Sequence, residues 1–541
     1  MSGSIVGLSP FKFAGLCVGI VGFLLCLILP IPGLYFAGKV TLGIFVMAAV
    51  FWMTEPVPIF ATSMLVIFLQ VLFLSAQGPL FQNSTLPTYT PIHLDGNEWR
   101  IANEAITEEG IIIILENGRQ MPVLVDSYYS ENGQVVVNSN SLNDGLQIVA
   151  DVSHRRAAYQ PNSYTDFFGT LANPIIILFL GGFMLAAAAV KYSLDKNITR
   201  YLLQPFGERP LPILFGLMLI TAILSAFMSN TATTAMMMTV IIPITAQLKS
   251  EDLFKTALAL SIPVAANIGG IATPIGTPPN AIALAAMTKS GAFVSFTDWM
   301  MMATPLVVIV LFISWLLLYK LFPPLAEKIN MNSQGGFLIN PKAITLYVLF
   351  AITVLLWITE NLHGISSNIV AFLPISGFVL VGILDKDDIR SLPWEVLWLV
   401  AGGISLGISM GSSGLAEWMI NSIPFGSFGL ITVIVMFSIT ALMMSNFLSN
   451  TVTATLLMPL AISLVTSGAL GTDFSLIILG LVISISCSLA MVLPISTPPN
   501  AIAMSTGLIS TPDMARSGII IGLIGIMIVI SYALIYWPLF I

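Results

Sequence analysis

The chain has 541 residues, of which 57% are hydrophobic and 8% charged, with a formal net charge of −7; a soluble domain carries about a quarter charged residues. With a mean hydropathy of +0.96, the composition excludes water-soluble enzymes as a class and reads as an all-α polytopic membrane protein whose partner is the lipid bilayer, with no nucleic-acid partner expected. Cys17, Cys26 and Cys487 all stand inside apolar runs, which leaves neither a disulfide framework nor a CxxC-type metal site.

The first apolar run, residues 11–32, is too long for a signal-peptide core and lacks a small-x-small cleavage site, so it is kept as a span. Spans at 38–54 and 57–76 follow. The composition then changes: residues 78–165 carry ten acidic side chains against four arginines. Within "IIIILENGRQMPVLV" and "SYYSENGQVVV", Asn117-Gly118 and Asn132-Gly133 lie between β-prone runs, the preferred two-residue hairpin turn. A small β-rich insertion between spans is expected there. Eight more spans are read near 168–192, 254–288, 300–322, 341–360, 365–384, 393–410, 473–508 and 516–540, which makes eleven.

Two further apolar segments, 211–248 and 427–466, carry "FMSNTATTAMMM" from Phe227 and "FLSNTVTATLLM" from Phe447 near their centres. Each is too long for one crossing and has a polar, breaker-like middle. They read as re-entrant helical hairpins, with two ordinary short spans as the alternative.

Ser229-Asn230-Thr231 recurs as Ser449-Asn450-Thr451 at an offset of 220, and "TPPNAIA" from Thr277 recurs from Thr497 at the same offset. Gly181-Gly182 and Gly402-Gly403 differ by 221, whereas "WMTE" at Trp52 and "WITE" at Trp357 differ by 305, an excess close to the length of the β-rich segment. Two homologous halves follow, with one extra span in front. The expected organisation is 1–77 as amino-terminal spans, 78–165 as the insertion, 166–330 as the rest of the first repeat and 331–541 as the second. Lys191, Lys196, Arg200, Arg209, Lys249 and Lys255 surround the first hairpin, while no Lys or Arg occurs from Ser391 to Ala515. The positive-inside rule then opens the first hairpin to the cytoplasm and the second to the outside. The repeat is inverted, with the amino terminus cytoplasmic and the carboxyl terminus and insertion external.

A Ser-Asn-Thr tip offers helix-end N–H groups, two hydroxyls and one amide, able to donate to a carboxylate and to present oxygens to Na⁺. In "TPIGTPPNA" and "LPISTPPNA" the paired prolines remove donors and free carbonyls at membrane depth, which need a cation or another polar partner. A lone Ser or Thr in a membrane helix bonds back to its own turn or sits at a helix contact; two motifs repeated in one register are not generic. Met236, Met237 and Met238 are read as packing residues and Glu55 and Glu360 as helix ends. His93, His154 and His363 are read as ordinary loop residues. No His, Asp or Glu stands within either motif segment, which argues against an intramembrane hydrolase, and a receptor would not need two broken helices.

These paired motifs resemble the divalent anion/sodium symporter family, carriers of di- and tricarboxylates or sulfate, across nearly all of the chain outside 78–165. The resemblance implies eleven spans, two re-entrant hairpins, a scaffold-mediated homodimer and an elevator-like movement. It implies substrate groups at Ser229, Asn230, Thr231, Ser449, Asn450, Thr451, Thr497 and Pro498. It implies one Na⁺ site from Ser225, Ser229, Asn230 and Gly276, and a second from Ser445, Leu448, Asn450 and Pro498, with Leu448 acting through its carbonyl. The expected function is Na⁺-coupled dicarboxylate symport at the cell membrane. An anion exchanger and a sulfate or citrate carrier of the same fold are the alternatives.

Overall fold

The computed structural model describes residues 9–80, the strands between residues 88 and 149, and residues 161–329, 338–422, 428–466 and 475–540. Among these, ten helices are long and apolar enough to cross a membrane. The ten include Pro210–Phe227 and Leu430–Phe447, one arm of each expected hairpin. The expected spans at 57–76, 365–384 and 473–508 hold shorter apolar helices, Ile59–Leu74, Ser367–Leu380 and Leu476–Ser488.

Eight strands fall between residues 88 and 149, in two four-stranded sheets. Ile111–Glu116 pairs antiparallel with Arg119–Leu124, Glu116 opposite Arg119, and Ser127–Glu131 with Gln134–Asn138, Glu131 opposite Gln134. The expected turn pairs Asn117-Gly118 and Asn132-Gly133 lie outside the described residues, as does His154.

The chain forms two compact units, Met1–Thr170 with Ser405–Pro424 and Leu171–Ile404 with Phe425–Ile541. In the first, helices Pro10–Ile28 and Phe36–Thr54 pack closely through small residues: a Cβ at Gly15 would stand 2.0 Å from Thr54 Oγ1. Gln70, fully buried, is held at both ends of its amide. Its Nε2 donates to Ser409 Oγ at 2.6 Å and its Oε1 accepts from Ser405, so a polar side chain at membrane depth is satisfied inside the protein. Trp418 Nε1 donates to the Pro32 carbonyl at 2.9 Å.

The second unit holds both hairpins and both broken helices. The arms Pro210–Phe227 and Asn230–Thr245 pack on Phe254–Gly269; Leu430–Phe447 and Asn450–Thr466 pack on Leu476–Ser488. The short second arms cross over between halves. Pro278–Lys289 packs on Asn450–Thr466 and Leu476–Ser488, and Pro498–Ser505 on Asn230–Thr245 and Phe254–Gly269. The three consecutive methionines Met236, Met237 and Met238 are buried, as packing residues are. Along Pro341–Ile358, by contrast, Ile344, Val348, Ile352 and Leu355 form an exposed stripe at helical spacing, a face suited to hydrocarbon. Glu360, buried, accepts from the backbone N–H of Phe296 at 2.7 Å and of Ser367 at 3.0 Å, the first residues of helices Phe296–Leu321 and Ser367–Val370, and so satisfies the starts of two helices at once.

Candidate functional site

Each hairpin turns on one extended residue followed by a serine cap. Helix Pro210–Phe227 stops at Met228 (φ −130°, ψ 162°), after which the Ser229 hydroxyl accepts from Ala232 N at 3.5 Å and caps Asn230–Thr245. Helix Leu430–Phe447 stops at Leu448 (φ −109°, ψ 166°), and the Ser449 hydroxyl accepts from Val452 N at 3.2 Å. Serine is a preferred cap because its oxygen satisfies one of the N–H groups a helix start leaves open. The asparagine and threonine of each motif are then the first two helical residues, where the helix dipole is positive.

Behind each tip a serine meets the asparagine. Ser225 Oγ lies 2.6 Å from Asn230 Oδ1 and 2.8 Å from the Ala266 carbonyl; Ser445 Oγ lies 2.7 Å from Asn450 Oδ1 and 2.9 Å from the Cys487 carbonyl. A hydroxyl has one proton and here faces two acceptors. It donates to one at a time, and a cation placed between Oγ and Oδ1 would assign that proton to the carbonyl.

The broken helices run close to these tips. In the first half, Phe254–Gly269 continues through a 3₁₀ turn, Gly270–Ala272, before Pro278–Lys289 starts with proline at N1, where a missing N–H costs nothing. A Cβ at Gly270 would stand 2.4 Å from Asn230 Oδ1, and one at Gly276 would stand 2.4 Å from the Gly270 carbonyl oxygen. Ser225, Asn230, Gly270 and Gly276 are therefore contiguous; a side chain at Gly276 would meet backbone, and one at Gly270 would push the Asn230 amide aside. The carbonyls freed by the break do not wait for a cation. Asn280 Nδ2 faces the carbonyls of Gly270, Ile271 and Thr273 at 3.0, 3.3 and 2.8 Å, and Trp299 Nε1 donates to that of Ile271 at 3.1 Å.

The second half repeats this with different tools. Asn500 Nδ2 donates to the Leu493 carbonyl at 3.0 Å, and Asn446 takes the Val492 N–H on Oδ1 at 2.9 Å while its own carbonyl accepts from Ser496 Oγ at 2.9 Å. Thr497 caps Pro498–Ser505, accepting from Asn500 N at 3.3 Å.

The residues expected from sequence thus fall into three groups. Ser225, Gly276, Ser445, Leu448 and Thr497 are buried; Ser229, Asn230, Ser449, Asn450 and Thr451 are half-buried, and Thr231 and Pro498 are exposed. Each half-buried asparagine meets a buried serine hydroxyl, Ser225 or Ser445, on one side. Asn267, Asn280, Asn446 and Asn500 do not stand out in the sequence; the one available signal is that "TPPNA" carries an asparagine in both copies, Asn280 and Asn500. Among the described residues no three His, Cys, Asp or Glu side chains gather as a metal site.

The family described as "Sodium:sulfate symporter transmembrane region" matches residues 148–541. An uncharacterized transporter of Haemophilus influenzae is 33% identical over 390 residues, covering 68% of this chain and 82% of its own. The sodium-dependent dicarboxylate transporter SdcS of Staphylococcus saprophyticus is 32% identical over 398 residues, covering 66% and 75%. The sodium-dependent high-affinity dicarboxylate transporter 3 of Caenorhabditis elegans is 29% identical over 426 residues, covering 66% and 74%. A multi-pass membrane chain with a serine-capped asparagine in each of two hairpins, matched along residues 148–541 by one carrier family, belongs to the divalent anion/sodium symporter family.

Proposed function

We propose that the protein is a symporter that carries dicarboxylate anions of the succinate, malate and fumarate class together with Na⁺ across the cell membrane. The observation that carries this reading is the pair of Ser–Asn contacts, Ser225–Asn230 and Ser445–Asn450, each beside a broken helix and each remote in sequence from any fixed cation. There is no Lys or Arg between Arg209 and Lys249, between Lys255 and Lys289, or between Arg390 and Arg516. A dianion at membrane depth then faces only hydroxyls, amides and helix dipoles, and an uncompensated buried charge costs several kcal/mol. Mobile cations supply the balance.

In this reading one Na⁺ binds in each half, at Ser225, Ser229, Asn230 and Gly276 and at Ser445, Leu448, Asn450 and Pro498. The anion lies between Ser229-Asn230-Thr231 and Ser449-Asn450-Thr451, with Thr497 and Pro498 beside it. The names of the staphylococcal and nematode relatives support the substrate class and the coupling ion. Also proposed are the inverted repeat with a cytoplasmic amino terminus, the division at residues 77, 165 and 330, a homodimer, and elevator-like movement of hairpins and broken helices. Uptake of labelled succinate into proteoliposomes, with and without an inward Na⁺ gradient, tests the core of it. Symport predicts accumulation only with the gradient. Equal uptake in choline and Na⁺ media with strict dependence on an internal anion would establish exchange instead.

A further inference from the structure

Asn267 is 1% exposed, and its Nδ2 donates to Thr497 Oγ1 at 3.1 Å and Asn500 Oδ1 at 3.3 Å. It stands on the broken helix of the first half and its partners on that of the second. Its neighbour Ala266 supplies the carbonyl that meets Ser225 Oγ at 2.8 Å, and Thr497 is the cap of Pro498–Ser505. One peptide unit therefore separates the hydrogen bond behind one hairpin tip from the start of the opposite short helix.

The clasp is not duplicated. The Cys487 carbonyl faces Ser445 as that of Ala266 faces Ser225, so Ser488 takes the place of Asn267, and its hydroxyl bonds back to the Ser484 carbonyl at 3.1 Å. Asn280, which corresponds to Asn500 at the 220-residue offset, keeps a buried Oδ1 that accepts no hydrogen bond among the described residues. A repeated architecture has one bridging amide where its symmetry allows two.

We propose that Asn267 is a positioning residue that couples cation occupancy of the first half to that of the second; this rests on the symport reading above. A cation at Ser225 Oγ and Asn230 Oδ1 commits the single Ser225 proton to the Ala266 carbonyl. That fixes the turn bearing Asn267, and its amide then holds Thr497 and the cap of Pro498–Ser505 in place for the second cation. By linkage the coupling is reciprocal. The one-sided clasp makes Asn267 the route.

The test is an Na⁺ titration of succinate uptake by the full-length chain in proteoliposomes, for the wild type, Asn267→Leu and Asn267→Ala. Leucine keeps the branched shape without the donor, so it survives a packing loss that could unfold the alanine variant. The expected result is a Hill coefficient for Na⁺ that falls from above one to about one, with half-saturation raised at least about fivefold. The maximal rate at saturating Na⁺ stays within about twofold, as it does when binding alone is changed. An unchanged Hill coefficient, or a lower maximal rate with the Na⁺ titration unmoved, overturns the proposal. So does loss of folding in both variants, which would make the amide a structural tie. A wild type indifferent to Na⁺ overturns the symport reading and this proposal together, whereas a cooperative wild type with an unaltered Asn267→Leu overturns this proposal alone.

Discussion

Gly270→Ala should weaken Na⁺ binding through a single methyl group. Gly270 has φ −59° and ψ −20°, a conformation alanine adopts without strain, so the substitution adds volume and nothing else. The new Cβ would stand 2.4 Å from Asn230 Oδ1 and 2.9 Å from Nδ2. An ordinary carbon–oxygen contact is about 3.3 Å or more, so the amide must retreat by about 0.9 Å or rotate. Ser225 Oγ lies 2.6 Å from the same Oδ1, and the displacement disturbs the Ser–Asn geometry on which the proposed ion site depends. Overpacking of this kind costs about 1–3 kcal/mol. To the extent that this cost is larger in the ion-loaded state, where Asn230 must also face the cation, it raises the Na⁺ half-saturation of succinate uptake, by up to about 150-fold if all of it falls there. Gly169→Ala is the control, since Gly169 has the same φ of −59° and nothing within 4 Å of its added Cβ. A Gly270→Ala protein that inserts normally and titrates with Na⁺ within about twofold of the control would refute the reasoning.

Asn230→Ala and Asn450→Ala should each abolish uptake while leaving insertion intact, because each asparagine is proposed to serve both the ion and the anion; near-normal transport by either would remove it from the site. Asn280→Ala should lower the melting temperature in detergent. Its amide faces three buried carbonyls at 3.0, 3.3 and 2.8 Å with two protons, and each buried group left unmet costs about 1–3 kcal/mol; an unchanged melt would mean the loop finds other donors. At the surface, hydrogen bonds from Lys191 and from the Asp388 and Asp387 N–H groups lower the Asp385 carboxyl to about 2. A depressed carboxylate stabilises the fold above its ordinary pKa and stops doing so as pH falls through the lowered one. The contribution of Asp385 to the melting temperature should therefore be level from pH 5 to 7 and decline below about pH 4, and Lys191→Met should flatten that decline. Cysteines introduced near Lys196 should react only from the cytoplasmic side and those near Glu417 only from outside, and labelling of both from one side would mean parallel repeats.

The hairpins and broken helices were legible because they break rules that apolar sequence otherwise obeys. Ser-Asn-Thr and Pro-Pro-Asn have no place in an ordinary span, and their shared offset of 220 marks them as one device used twice. Asn267 and Asn446 were not legible. Each is one amide in an apolar run, and its partner lies elsewhere in the chain: Thr497 is 230 residues from Asn267, and Val492 is 46 from Asn446. The prolines free carbonyls that need a cation or another polar partner, and in the first half Asn280 meets three of them; which of the two it would be is a matter of three-dimensional return, not of sequence. Nor does the sequence announce that Ser405–Pro424 groups with the amino-terminal part of the chain. Gln70 makes that association through two serines 335 and 339 residues away, and neither serine differs in sequence from any other in a membrane helix.

The serine proton that can go to either of two acceptors also bears on the half of the cycle in which nothing is carried. A carrier that works by net uptake must return empty, and an empty site at membrane depth would ordinarily expose bare oxygens that only water can satisfy. On the symport reading, a Ser225 hydroxyl turned to Asn230 and a Ser445 hydroxyl turned to Asn450, which the 2.6 and 2.7 Å separations allow, would let an empty carrier serve as its own counter-ligand. Vacant and fully loaded forms are then both closed polar systems, while a form holding an anion without its cations is not. On the symport reading proposed above, the same two hydroxyls would both admit the cations and discourage leak through half-filled states.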